Sequence, residues 1–337
     1  MKIFTVQGRG FGDAVICSAA LRACKLREGS SYVVAGKKSN LCVLRTLGVS
    51  AEWVDIPFPA STGKQCDLAS LYRLLRAGLQ LRRRSFDLGV NVAPDFREDL
   101  LFRIVKPRRT VRAFYGNLSD ATQKFHAFNL LRYGQEVDLS NELRGIYWQQ
   151  AALFAKATGC PEPQNVVPLP RRSDNADLIG VHPFAGHPSR EWPLTRWRQF
   201  IDRLLANGSP VVCFCPPGGR SRLERAGIIE RNGLQIAEDG IEDFCRRVQT
   251  LRLLVCHESF AAHVAIYFGV PKIVISGSGD PDVWLGGQDY LTAGDKCPWF
   301  PCHGRPKCTG KSDQYICVNG VDITIVEKAV LEALRKF

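Results

Sequence analysis

The sequence predicts an α/β fold made of two doubly wound halves, and three observations predict it. Short apolar runs alternate with amphipathic stretches through residues 3–105. The alternation stops across a stretch rich in Pro, Asn, Arg and Asp at 160–177, and it restarts through residues 178–336. Strands alternating with helices indicate a parallel sheet covered on both faces. A chain of 337 residues suits two domains of ordinary size, expected here at 1–165 and 176–337.

In the first half, residues 3–6, 32–34, 53–56 and 88–92 read as strands, and 14–27, 38–47, 68–84 and 98–105 as helices with apolar residues at helical spacing. Gly8, Gly10 and Gly12 lie between the first strand and the first helix, ahead of Asp13. Their spacing is not that of the dinucleotide fingerprint. Glycines in that place allow a sharp turn and the close approach of a ligand. Asp13 has two readings. It caps the helix, or it accepts a proton from an acceptor hydroxyl as a general base.

In the second half, residues 178–182, 210–215, 253–257 and 272–276 read as strands. Residues 195–206, 220–231, 241–249, 261–268 and 322–336 read as helices. The loop after 178–182 holds Ala185, Gly186 and Arg190 before Trp192-Pro193. It is either a nest of backbone amides with one fixed cation, suited to a diphosphate, or a turn with a solvent-facing Arg. After 253–257 come Glu258, Ser259 and Ala261, whose amides at a helix start suit a phosphate, and His263 one turn on. A lone His on an apolar helix is either structural or turned to the site.

Lys and Arg number 45 against 33 Asp and Glu, a net charge of +12. Residues 1–160 carry 24 − 13 = +11 of it, and the remainder 21 − 20 = +1. A basic half attracts phosphate, acidic glycan, an anionic membrane surface or nucleic acid, or it is a solvated surface. The densest runs are Arg82-Arg83-Arg84 and Lys106 to Arg112, placed here on the acceptor side. Phe114, Tyr115, Phe125, His126 and Phe128 either stack on sugar rings or pack a core. No apolar run reaches bilayer-spanning length, and the first residues lack a signal-peptide layout, so a cytoplasmic location is expected.

Thirteen cysteines occur. Most sit within apolar patterns and read as small hydrophobes rather than a disulfide framework. Cys297, Cys302, Cys308 and Cys317 form a separate cluster in the turn-rich loop 297–317, separated by four, five and eight residues. Four thiolates suit a structural tetrahedral zinc or iron site, with free thiols or a disulfide pair as alternatives. A closed site leaves no open position, so no catalytic metal is expected.

Taken in order, Gly12-Asp13, Arg190-Glu191-Trp192-Pro193, Glu258-Ser259, His263-Val264-Ala265, Gly269-Val270-Pro271, Asp280-Pro281 and Trp284 resemble the bacterial ADP-heptose:lipopolysaccharide heptosyltransferases, glycosyltransferase family 9. The resemblance implies a GT-B architecture, two Rossmann-like domains facing a cleft. It implies inverting, metal-free transfer of a heptose or related sugar from an ADP-sugar to an acceptor hydroxyl. Asp13 would then be the general base and Arg190 the cation that neutralises the leaving diphosphate. Gly12, Ala185, Gly186, Glu258, Ser259, Ala261 and His263 would form the donor side. A four-cysteine loop holding zinc or iron also recurs among such relatives. Arg190-Glu191 stands where the family usually has Lys-Arg, Glu258 where it has Asp, and Phe184 and Phe260 where it has glycine. These departures leave the donor sugar open. The acceptor is equally open (glycan, lipid-linked core, protein or small molecule), as are peripheral membrane contact and a homo-oligomer. Two competing readings are another GT-B enzyme using a different sugar nucleotide and a basic zinc-containing nucleic-acid-binding protein. The second is disfavoured, with no nucleic-acid partner expected, because the cysteine loop lies outside the basic half.

Overall fold

The computed structural model describes residues 1–58, 68–92, 96–114, 134–139, 145–167, 177–285 and 289–336. Tyr115, Phe125, His126, Phe128 and the side chain of Phe114 lie outside the described residues, so the stacking expectation is not addressed. Two compact units divide the chain at Val166 and Val167.

The first unit runs β1 (Lys2–Gln7), α1 (Phe11–Ala23), β2 (Ser31–Gly36), α2 (Lys38–Thr46), β3 (Glu52–Asp55), α3 (Leu68–Arg82), β4 (Leu88–Asn91), α4 (Phe96–Val105), β5 (Arg109–Phe114), β6 (Gln135–Asp138) and α5 (Ile146–Thr158). Its strands pair in parallel in the order β3-β2-β1-β4-β5-β6. β1 lies at the centre, buried almost throughout, as strands covered on both faces must be. Phe4 on β1 packs its ring 4.9 Å from Phe86 and 5.1 Å from Phe102. Burying such a ring stabilises the unit by about 1.5–3 kcal/mol.

The second unit repeats the plan: β7 (Ile179–His182), α6 (Leu194–Ala206), β8 (Val211–Phe214), α7 (Arg220–Arg225), β9 (Leu234–Ala237), α8 (Ile241–Val248), β10 (Leu253–His257), α9 (Phe260–Phe268), β11 (Lys272–Ile275), α10 (Pro281–Leu285), β12 (Tyr290–Leu291), α11 (Ile316–Asn319) and α12 (Ile323–Lys336). Its order, β12-β11-β10-β7-β8-β9, is the same topology. Both units are Rossmann-like. In each sheet the strand order reverses at one place, between β1 and β4 and between β7 and β10. Ligands of such sheets bind beyond the carboxyl ends of the strands there.

The sequence reading omitted β5, β6, α5, β9, β12 and the short helices α10 and α11, and overextended the helices at 14–27 and 220–231. β5 looks like a basic run because Arg109 and Arg112 flank its apolar residues. In the fold Arg112 is buried, 3.4 Å from Asp99 and 3.7 Å from Glu136. β6 is an edge strand with three exposed residues and no apolar alternation. The helix predicted at 220–231 ends at Arg225, since Gly227 turns into the left-handed region at φ 76°. The helix predicted at 14–27 stops at Ala23, where the Cys24 amide returns to Ala20 O. Cys17 and Cys256 are buried thiols pushed up to about 12 by desolvation, which fits the small-hydrophobe reading. No helix among the described residues is long and apolar enough to cross a membrane.

Candidate functional site

The second unit builds its site on one buried histidine. His257 ends β10 and is fully buried. Its Nε2 accepts the Trp192 backbone N–H at 3.2 Å and the Trp197 indole N–H at 3.1 Å. Two donors on Nε2 leave the ring proton to Nδ1, 3.4 Å from the Ile275 carbonyl. Burial pushes this imidazole down to about 3, so it stays neutral. Trp192 also donates its indole N–H to Val321 O at 3.0 Å. The Trp-Pro segment after the β7 loop is thereby tied to β10, the strand that pairs with β7.

That tie places the turn Pro188–Arg190 at the carboxyl ends of the strands. His187 caps it, accepting Ser189 N–H at 3.2 Å. Ser189 is buried and donates through Oγ to Ser278 Oγ at 2.9 Å. Arg190 Nη1 stands 3.9 Å from Glu258 Oε1. Glu258 Oε2 accepts from Ser276 Oγ at 3.0 Å. Burial pushes the Glu258 carboxyl up, while the Arg190 guanidinium and the Ser276 hydroxyl pull it back. His263, buried on α9, is driven down to about 4 by burial first and by the charges of Arg190 and Lys272 next. It is therefore a neutral group beside a cation.

Two glycines after β11 make this convergence sterically feasible. A Cβ on Gly279 would lie 1.9 Å from Glu258 Oε1, and one on Gly277 would lie 2.2 Å from Ser189 O. Backbone so close admits only glycine at 277, while a side chain at 279 would have to displace the Glu258 carboxylate.

Of the expected donor residues, Arg190, Glu258, Ser259 and His263 gather at one end of the sheet. Ser259 precedes α9 without capping it; its Oγ donates to His257 O at 3.2 Å. Ala261 is buried in the first turn of α9. Gly186 is exposed. The amide of Ala185 is already used: it donates to Glu191 Oε1 at 3.1 Å, so the expected phosphate nest lacks that donor. Glu191 also receives a close ion pair from Arg222, whose guanidinium lies 5.2 Å from the Phe184 ring centroid. Glu191 thus closes the loop internally. The sequence reading passed over the structural roles of His257, Ser276, Ser278 and the two glycines. Only the glycine–serine alternation carried a local signal.

In the first unit, Asp13 lies in the first turn of α1, and Gly12 precedes it. Its Oδ2 accepts the Gly10 N–H at 3.0 Å. The capping role is therefore real, and among the described residues it engages one carboxylate oxygen. α1 follows β1, at the strand-order reversal of the first sheet.

The four cysteines share a neighbourhood. Cys297, Cys308 and Cys317 are buried and Cys302 is half-buried. Burial, then the other three sulfurs, push the Cys317 thiol up to about 12. The Gly304 and Arg305 amides pull the Cys302 thiol down against the burial that raises it, and Cys308 Sγ receives the Tyr315 N–H at 3.4 Å. These amides suit thiolates. The positions of the sulfurs do not meet the expectation of a ligand set, however. Among the described residues no three His, Cys, Asp or Glu are arranged to hold a metal ion. The chemistry of the donors fits a metal and their geometry does not.

The described cysteines are all free thiols. No curated protein matches the sequence. Solved structures do match the fold. A glycosyl transferase family 9 protein from Veillonella parvula superposes with TM-score 0.76 at 14% identity, over 100% of this chain and 98% of that one. The E. coli ADP-heptose lipopolysaccharide heptosyltransferase II gives 0.70 at 14%, over 100% and 99%. The iron-containing dodecameric glycosyltransferase TibC of E. coli gives 0.58 at 11%, over 99% and 76%. The model of the family described as glycosyltransferase family 9 (heptosyltransferase) matches residues 74–293.

Proposed function

We propose, from the premise that the chain belongs to glycosyltransferase family 9 and is a glycosyltransferase, that it moves a heptose or related sugar from an ADP-sugar to an acceptor hydroxyl with inversion. What carries this reading is the convergence of Arg190 and the amino end of α9 where β7 meets β10. A departing nucleotide diphosphate gains negative charge, and a fixed cation with helix-terminal amides stabilises that charge where it develops. Glu258 holds the guanidinium at 3.9 Å, loosely enough for a diphosphate to draw it away. His263 lines the same place as a neutral, buried imidazole. Asp13 takes the proton of the attacking hydroxyl. The +11 charge of residues 1–160 favours an anionic acceptor such as a phosphorylated inner-core saccharide.

Isothermal titration with ADP, ADP-heptose, GDP and UDP tests the donor. ADP and ADP-heptose are expected to bind, and Arg190→Gln to lower kcat/KM for transfer by about a hundredfold. Tight binding of GDP or UDP alone would overturn the ADP assignment. Undiminished transfer by Arg190→Gln would overturn the role of the cation.

The cysteine loop is read as a structural zinc or iron site, its four thiols drawn together on binding. Closed tetrahedral coordination by Cys297, Cys302, Cys308 and Cys317 would supply folding energy and no chemistry. Metal analysis of the purified chain is expected to give about one ion per chain. Cys308→Ser is expected to lose that ion and melt at lower temperature. Metal-free protein whose melting is indifferent to added zinc or iron would exclude the site.

A further inference from the structure

The tip of the cysteine loop does not stand apart from the Arg190 cluster. His303 N–H donates to the Ser278 carbonyl at 2.8 Å, and Ser278 Oγ accepts from Ser189, the neighbour of Arg190. A Cβ on Gly304 would sit 3.5 Å from Arg190 Nη2, in ordinary contact. Arg305 N–H returns to Cys302 O at 2.9 Å and closes the turn. The tip therefore cannot swing away without breaking these bonds.

His303 itself adopts φ 50° and Gly304 φ 75°. Left-handed backbone is unfavourable for a residue with a β-carbon and persists only where its surroundings hold it. The His303 side chain is exposed, so core packing does not account for a histidine there. His303 lies near enough to Glu258 for a charge on its ring to lower that carboxyl. Arg190 shares its charge with Glu258, so a further N–H donor beside it and the α9 amides would strengthen the hold on a diphosphate lying there.

We propose that His303 contacts the donor, its imidazole N–H donating to the diphosphate beside Arg190, so that the cysteine loop forms one wall of the donor site. This rests on the donor-site reading above. A hydrogen bond to a charged oxygen supports a loss of about tenfold in affinity when it is removed.

The experiment uses the full chain and ADP. His303→Gly removes the ring while suiting the left-handed backbone, so its melting temperature is expected to match or exceed that of the parent. Its ADP dissociation constant is expected to rise about tenfold. His303→Asn tolerates the same backbone and keeps an N–H donor, and is expected to recover part of the affinity. ADP binding by His303→Gly equal to the parent's would overturn the inference and leave the donor-site reading intact. Lost affinity with a lowered melting temperature and no recovery in His303→Asn would assign the effect to the loop backbone and also overturn it. A parent protein that binds no ADP would overturn the donor-site reading together with this inference.

Discussion

Replacing Asp13 by Asn is expected to lower the rate of sugar transfer by about 10²–10⁴-fold, with ADP binding and the melting temperature nearly unchanged. The separation follows from the two jobs of the side chain. As a cap, Asp13 needs only an oxygen that accepts the Gly10 N–H, now 3.0 Å from Oδ2, and the amide oxygen of Asn is equally competent. As a base it must take a proton from the attacking hydroxyl, which an amide does not do. ADP binding reports mainly on the second unit, where Arg190 and the amino end of α9 lie. The measurement is product formation at saturating donor, alongside thermal melting. A folded Asp13→Asn protein with parental turnover would reduce Asp13 to a cap and leave the reaction without its assigned base.

The second large effect is expected from acid. Burial first of all pushes His182 and His263 down to about 4 and His257 down to about 3, from 6.5. Each is neutral in the folded unit and protonates in the unfolded chain below pH 6.5. Their stabilising contribution is therefore complete above pH 6.5 and is lost as pH falls towards 4 and 3. One such group costs about 1.4 kcal/mol per pH unit across that window, three about 4. Glu258 works the other way: burial raises its carboxyl, so it resists the fall until about pH 4.5. Against a folding stability of about 5–15 kcal/mol, the second unit is expected to unfold cooperatively between about pH 5 and pH 4. Trp192 and Trp197, both bonded to His257, give the near-ultraviolet signal to follow. Stability that stays level from pH 7 to pH 4.5 would contradict the neutral buried histidines. The same titration separates the units, because none of the three lies in residues 1–166.

The ordered set of motifs was legible because each is local. A β-strand followed by a Gly-Asp helix start, a His-Pro loop ending in Arg190 and Trp-Pro, and a Ser-led helix with His263 are all written within about fifteen residues. The two-unit α/β plan was equally legible, since buried parallel strands are continuous apolar runs, as in β10. β5 hid behind Arg112, whose charges are answered by Asp99 and Glu136; the edge strand β6 lacks the periodicity that marks buried ones, and β9 is one four-residue alternation too short to stand out.

By itself the sequence determined the alternating α/β plan and the family. These depend on spacing within one element and the turn after it. Only the tertiary structure decided which groups meet. It joined His257 to two tryptophans 60 and 65 residues away, spent the Ala185 amide on Glu191, and brought the cysteine loop beside Arg190. Periodicity fixes which face of an element is apolar, but contacts between distant segments arise from packing and hydrogen-bond satisfaction across the whole unit. That is the physical reason the role of His257 and the place of the cysteine loop carry no mark in the local sequence.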